Sequence, residues 1–130
     1  MSAIAVDTSA IVELLTRGPL EAVIRKKFDD AQLVQVTQVT RVETAFVMLG
    51  RFGLSRSAFD HGWELLGVVD VTIDAAMAKL AIDAFETWGK GRHKASLNFG
   101  DCFSYALARS QAVPLLFIGN DFAQTDIDPV

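Results

Sequence analysis

The sequence has little of several features that define whole classes of protein. Its 130 residues include one cysteine, Cys102, which excludes a disulfide framework within the chain and suits a reducing compartment, so we predict a cytoplasmic protein. No run approaches the roughly 18 consecutive apolar residues of a membrane span. The first residues lack the basic region and long apolar core of a signal peptide, and the glycines form no phosphate-binding loop.

Positive charge is also scarce. The chain has 12 lysines and arginines against 16 acidic residues, a formal net charge of −4, and a pI near 5.0. This balance argues against a protein that holds nucleic acid by bulk electrostatic attraction. It leaves open an enzyme that concentrates acidic side chains in one site and attracts divalent cations to it.

Apolar residues are plentiful, at 51% of the chain, which is enough for the core of one domain spanning residues 1–130. Short apolar runs predict strands at 2–6, 33–36, 68–73 and 115–118, and the tail 122–130 is a candidate for a further edge strand. Helical spacing predicts helices over 9–15, 20–30, 39–49, 57–66, 74–88 and 98–111. This alternation predicts an α/β sandwich with a mostly parallel sheet.

Acidic residues fall where such a sheet would bring them together. Asp7 ends the first strand, Glu43 lies in the first turn of the helix after the second strand, Asp101 lies in the first turn of the last helix, and Asp121 follows the strand "LLFIGN". In a parallel α/β sheet, strand C-termini and the following helix N-termini share one edge. We therefore expect these four carboxylates to meet there.

Each acid also has a plain structural alternative. Glu43 follows Thr40, and Asp101 follows Asn98, at the three-residue spacing of a capping box. Asp7 is suitably placed to cap the helix that follows it, and the fourth acid to begin a turn. Caps of this kind typically contribute about 1 kcal/mol to stability, so the sequence leaves both interpretations open.

Two details favour a shared site over simple capping. On a helical wheel Glu43 falls beside Val39 and Phe46, at the border of the apolar face rather than opposite it. Asp101 shares its side of the helix with three small residues that allow close packing, Ser104, Ala108 and Ala112. An acid so placed points toward the sheet edge, where a lone charge is costly unless it is paired or binds a metal.

Clustered carboxylates repel one another, so a shared site needs a cation. Oxygen ligands select Mg²⁺ or Mn²⁺ rather than zinc, and neither His61 nor His93 has metal-ligand spacing. Cys102 has no patterned histidine to activate it and is interpreted as core packing. A metal bound only by acids indicates metal-assisted hydrolysis of a phosphodiester, in which the ion lowers the pKa of a bound water.

Four segments carry a resemblance to a known family. "VDTSAIVELL", "TRVETAFVM", "LNFGDCFSYALA" and "LLFIGNDFAQTDI" resemble the PIN-domain ribonucleases, and among them the VapC-type toxins of toxin–antitoxin pairs. The likeness covers essentially the whole chain. It implies a PIN-like α/β/α sandwich with a mostly parallel central sheet of four to five strands.

The resemblance also implies the chemistry of the site. Four acids would bind Mg²⁺ or Mn²⁺ and cut RNA, and the matching positions are Asp7, Glu43, Asp101 and Asp121. Thr8 and Ser9 match the small hydroxyl residues that line the site, and Asn98 supports it. Asp126 is close enough in sequence to compete with Asp121 as the fourth acid, although we interpret it as structural.

Family resemblance implies two protein partners. VapC-type toxins form homodimers and are silenced by a cognate antitoxin whose C-terminal segment wraps around the toxin. The apolar residues of "FVMLGRFGLSRSAF", from 46 to 59, are compatible with such a surface. Core packing is the alternative for the same residues.

A basic loop offers a way for an acidic protein to bind RNA. Lys90, Arg92 and Lys94 precede the helix start at Asn98, so we predict that they lie near Asp101 and contact the phosphate backbone. A solvated loop without a binding role is the alternative.

Three other functions are alternatives to the nuclease. A phosphatase of the haloacid-dehalogenase kind also carries an aspartate after its first strand, but it needs a second one two residues on, where this chain has Ser9. A receiver-like domain needs a lysine after a late strand, where Gly119 and Asn120 stand. A non-catalytic interaction module that uses the acids only as caps is the third alternative.

Overall fold

A computed structural model describes residues 2–130 of the chain. Its centre is a sheet of four parallel strands, β1 (Ala3–Val6), β2 (Leu33–Val36), β3 (Val69–Asp70) and β4 (Leu115–Leu116). The order of the strands across the sheet is β3-β2-β1-β4. Ile4 of β1 pairs with Val34 of β2, and Val6 pairs with Leu116 of β4.

Within residues 2–130, six α-helices flank the sheet, so the predicted α/β/α architecture is confirmed. They are α1 (Thr8–Thr16), α2 (Glu21–Asp30), α3 (Gln38–Phe46), α4 (Arg56–Leu65), α5 (Ala75–Trp88) and α6 (Phe99–Gln111). A π-helical segment, Val47–Arg51, extends α3, and a short 3₁₀ helix covers Phe122–Gln124. Within the described part of the chain, no helix is long and apolar enough to cross a membrane.

Strand β1 is buried on both faces and therefore divides the core in two. Because side chains alternate along a strand, Ile4 and Val6 face one cluster and Ala5 faces the other. The first cluster includes apolar residues of α1, α2 and α4, and the second those of α5 and α6. This two-sided burial explains why β1 has an almost continuous apolar sequence.

Three of the predicted strands differ from the observed ones. The segment 68–73 forms only two strand residues, although the N–H of Val71 still donates to the Val36 carbonyl at 2.8 Å. The strand after 115 also ends early, because the N–H of Ile118 donates to the Ser9 hydroxyl at 3.0 Å. The tail 122–130 forms no continuous strand and joins the sheet through one parallel bridge between Leu115 and Pro129.

Candidate active site

Asp7 lies at the end of β1 and is the N-cap of α1. It is 4% exposed, and each of its two carboxylate oxygens accepts at least one hydrogen bond. Oδ2 accepts from the N–H and the hydroxyl of Ser9 at 3.1 and 2.7 Å, and Oδ1 accepts from the Ser104 hydroxyl at 2.5 Å. The Ser9 hydroxyl accepts from the N–H of Ile118 and donates its own proton to Asp7.

Glu43 reaches the same region from α3. Its Oε1 accepts a hydrogen bond from the Thr8 hydroxyl at 2.7 Å, which joins it to the residue next to Asp7. Burial raises the pKa of Glu43, the Thr8 hydrogen bond lowers it, and the charge of Asp7 raises it further. Its carboxylate also lies against Gly100, where an added Cβ would overlap it.

The predicted position of Glu43 within its helix needs a correction. The N-cap of α3 is Thr37, without a side-chain cap, and the helix begins at Gln38. Glu43 is therefore in the second turn, not the first, and Thr40 lies inside the helix. The capping-box interpretation of Glu43 is wrong, because its carboxylate faces Thr8 and Gly100 instead.

Asp101 lies in the first turn of α6, where its capping box is complete. Its N–H donates to Asn98 Oδ1 at 2.9 Å, and its Oδ2 accepts from the N–H of Asn98 at 3.0 Å. The predicted supporting residue Asn98 is thus the cap that fixes Asp101.

Electrostatics connects Asp101 with the other three acids. Burial is the largest cause that raises the pKa of Asp101 to about 7, opposed by the Asn98 hydrogen bond, and the charges of Asp7, Asp121 and Glu43 raise it further. The structure therefore brings four carboxylates from separate parts of the chain into one electrostatic neighbourhood.

The two candidates for the fourth acid have different surroundings. Asp121 is exposed and precedes the 3₁₀ helix without a side-chain cap. Asp126 instead accepts a hydrogen bond from the Tyr105 hydroxyl at 2.6 Å and lies 3.7 Å from an Arg109 nitrogen. The partners of Asp126 give it a structural role and favour Asp121 as the fourth acid.

The acidic side chains of this site are possible ligands of a divalent cation. Within residues 2–130, no group of three His, Cys, Asp or Glu side chains is arranged to hold a metal ion, because the carboxylates turn toward hydroxyl and amide donors. The available ligand atoms are all carboxylate oxygens in a region of mutual repulsion. That chemistry fits Mg²⁺ or Mn²⁺ and does not fit zinc.

The predicted RNA-binding residues lie on the loop between α5 and α6. Lys90, Arg92 and Lys94 are exposed, and none of them forms a salt bridge within the described residues. The Arg92 guanidinium lies 5.6 Å from the centre of the Phe85 ring. The loop leads into the Asn98 cap of α6, and the nearness of these cations to Asp101 stays a prediction.

His93 and Cys102 have local surroundings that explain them without a site role. His93 Nδ1 accepts from the N–H of Ala95 at 2.9 Å, and its ring meets the Trp88 ring edge-on at 4.9 Å. Cys102 is buried, and desolvation followed by the charge of Asp101 raises its pKa to about 11. The imidazole shapes the loop, and the thiol stays protonated.

Sequence reasoning missed two residues of the site. It assigned Ser104 to close packing, although its hydroxyl binds Asp7, and it gave no role to Gly100, although the missing side chain makes room for Glu43. A serine one turn after an acid on an otherwise apolar helix face was the available signal for Ser104. No local signal pointed to Gly100.

Comparison with known proteins identifies the class to which this fold and these acids belong. The profile of the PIN domain matches residues 4–128, and the chain therefore belongs to the PIN domain family. Within that family, the chain is similar to curated VapC ribonucleases. Ribonuclease VapC30 of Mycobacterium tuberculosis is 40% identical over 126 residues, which cover 96% of each chain, and Ribonuclease VapC of Mycolicibacterium smegmatis is 40% identical over 96% of this chain and 98% of its own.

A more distant relative agrees with that placement, and a solved structure agrees with the fold. VapC ribonuclease R02377 of Rhizobium meliloti is 33% identical over 94% of this chain and 97% of its own. The crystal structure of Mycobacterium tuberculosis VapC20, a toxin that cleaves the sarcin-ricin loop, superposes with a TM-score of 0.77 at 19% identity over 98% of each chain. The predicted membership among VapC-type PIN toxins is confirmed.

Proposed function

We propose that the chain is a metal-dependent endoribonuclease, the toxin of a type II toxin–antitoxin pair, that hydrolyses RNA phosphodiester bonds at the site of Asp7, Glu43, Asp101 and Asp121. One observation carries the proposal: the charges of the other three acids all act on Asp101. Full-length similarity to VapC ribonucleases supports it. The family match sets aside the phosphatase and receiver alternatives.

The residues of the chain prepare this site for a cation and a phosphate. A bound Mg²⁺ or Mn²⁺ would supply an activated water and neutralise developing negative charge. Three hydrogen bonds from Ser9 and Ser104 orient the Asp7 carboxylate, and Thr8 orients Glu43. In the metal-free protein, burial and the neighbouring acids raise the pKa of Asp101 to about 7, so a bound cation would favour its ionised form.

The proposal includes an antitoxin and a second copy of the chain as partners in the cytoplasm. Exposed apolar side chains of α3 and the segment after it, such as Phe46 at 73%, border a cavity of about 460 Å³ between α3 and α4. A Klebsiella pneumoniae toxin–antitoxin complex contains a chain of this fold, with a TM-score of 0.71 at 14% identity. The apolar surface supports an antitoxin-binding role for this region.

Cleavage of RNA by the purified protein is expected to require a divalent cation. Mg²⁺ or Mn²⁺ should restore activity after chelation, and Mn²⁺ should also stabilise the protein, by about 2.7 kcal/mol at a concentration 100 times its dissociation constant. Gel-resolved cleavage and thermal melting measure the two effects. The nuclease assignment would be contradicted if RNA stayed intact at every metal concentration. This holds whether the protein releases phosphate from small phosphoesters or has no activity at all.

Replacing Lys90, Arg92 and Lys94 together with serine should weaken RNA binding and flatten its salt dependence. Each lost phosphate contact lowers the slope of log affinity against log salt by about 0.7 for a single strand. Fluorescence anisotropy with labelled RNA at several salt concentrations measures the slope. The control replaces Lys26 and Lys79 with serine. These two exposed lysines lie on α2 and α5 and pair with neighbouring acids. An unchanged slope in the triple variant would show that the loop does not contact RNA.

A further inference from the structure

One of the donors to Asp7 comes from a helix far along the chain. Ser104 lies on α6, one turn after Asp101, and is fully buried. A buried hydroxyl on a helix can satisfy itself with a carbonyl of its own helix, as Ser110 does with Leu107 at 3.1 Å. Ser104 instead donates across the layers to Asp7 Oδ1. Its hydroxyl therefore joins α6 to the end of β1.

The two carboxylate oxygens of Asp7 differ in how many hydrogen bonds they already accept. An ionised carboxylate has about four lone-pair positions, two on each oxygen. Oδ2 accepts from both the N–H and the hydroxyl of Ser9, which fills its positions. Oδ1 accepts from Ser104 alone among the described contacts. The oxygen with an acceptor position left for a ligand is thus the one that Ser104 contacts.

We propose that Ser104 is a positioning residue that fixes the orientation of the Asp7 carboxylate and so presents the free acceptor position of Oδ1 to the divalent cation of the site. The inference rests on the proposed function, because it assumes that Asp7 is a metal ligand. Ser104 and Asp101 are three residues apart on α6, so the same turn of helix locates Asp101 and holds Asp7. The hydroxyl, and not merely the small size of the residue, carries this role.

Removal of the hydroxyl should weaken metal binding by a protein that still folds. Calorimetric titration of the metal-free protein with Mn²⁺ is expected to show about tenfold lower affinity for Ser104→Ala, the size of effect typical of a residue that supports a metal ligand. Ser104→Thr keeps the hydroxyl and should restore most of the affinity. Ser110→Ala, on the same helix, removes a hydroxyl that bonds only to its own helix and should bind Mn²⁺ as the wild type does.

Cleavage kinetics provide a second measurement. The Mn²⁺ concentration for half-maximal cleavage should rise about tenfold in Ser104→Ala, while the rate at saturating Mn²⁺ changes much less. Equal Mn²⁺ affinity in the wild type and Ser104→Ala would overturn the inference, as would a loss shared by the alanine and threonine variants. If the wild type binds Mn²⁺ no better than Asp7→Asn does, the proposed metal site itself fails, and the two failures are distinguishable.

Discussion

Replacing Asp101 with asparagine is expected to abolish RNA cleavage and, at the same time, to stabilise the metal-free protein. The asparagine oxygen can still accept from the N–H of Asn98, so the capping box is kept. What is lost is one anionic ligand, and we expect cleavage to fall by at least about 100-fold. The neutral amide is no longer destabilised by burial of a charge or by the charges of three neighbouring acids. We expect the free energy of unfolding of the metal-free protein to rise by about 1–2 kcal/mol, after allowance for solvent screening of this partly exposed group.

The pH dependence of that stabilisation has a definite sign. Burial raises the pKa of Asp101 from 3.8 to about 7 in the folded protein, so the folded state binds the proton more tightly than the unfolded state. Stability contributed by this group is then lost as pH rises from about 4 to 7. Melting of wild type and Asp101→Asn without metal should therefore differ most above pH 7 and converge toward pH 4.

Two further substitutions serve as controls for this result. Asp126→Asn should keep cleavage, because the amide oxygen can still accept from the Tyr105 hydroxyl and the residue lies outside the proposed site. Asp121→Asn should reduce cleavage. Wild-type cleavage by Asp101→Asn would contradict the acidic site. Loss of cleavage in Asp126→Asn, together with full cleavage by Asp121→Asn, would identify Asp126 as the fourth acid in place of Asp121.

The sequence was sufficient for the parts of the fold that local patterns encode. The apolar run before Asp7 predicted a buried strand and the acid at its end, because a parallel sheet covered on both faces needs such a run. Asn98 and Asp101 predicted a helix start that the complete capping box confirms. These features depend on residues a few positions apart, so a single sequence contains them.

Contacts between distant parts of the chain were not predictable in the same way. The strand after Leu115 ends early because Ile118 bonds to Ser9, more than 100 residues away in sequence. Thr37 and Thr40 are both plausible N-caps in the sequence. In the structure the N-cap is Thr37, which places Glu43 in the second turn of α3. Ser104 looked like a packing residue because its partner, Asp7, is brought to it only by the folded sheet.

Gly100→Ala is expected to preserve the fold and impair cleavage, because the three atoms nearest to an added Cβ all belong to the carboxylate of Glu43. A Cβ at position 100 would overlap the carboxylate of Glu43, and that flexible side chain can rotate away at little cost to folding. Alanine also raises helix propensity by about 1 kcal/mol relative to glycine, so the melting temperature should hold or rise. Displacement of Glu43 from Thr8 and from the other acids should lower cleavage by at least about tenfold.

Gly62→Ala provides a matched comparison for this effect. Gly62 lies inside α4, and the nearest heavy atom to an added Cβ is Leu15 Cδ2 at 3.7 Å, an ordinary contact. It should gain helix propensity as Gly100→Ala does while cleaving RNA at the wild-type rate. Similar stability in the two variants with a loss of cleavage only in Gly100→Ala would trace the loss to Glu43. Wild-type cleavage by Gly100→Ala would instead mean that Glu43 does not need its place beside Gly100, and its role in the acidic site would have to be abandoned.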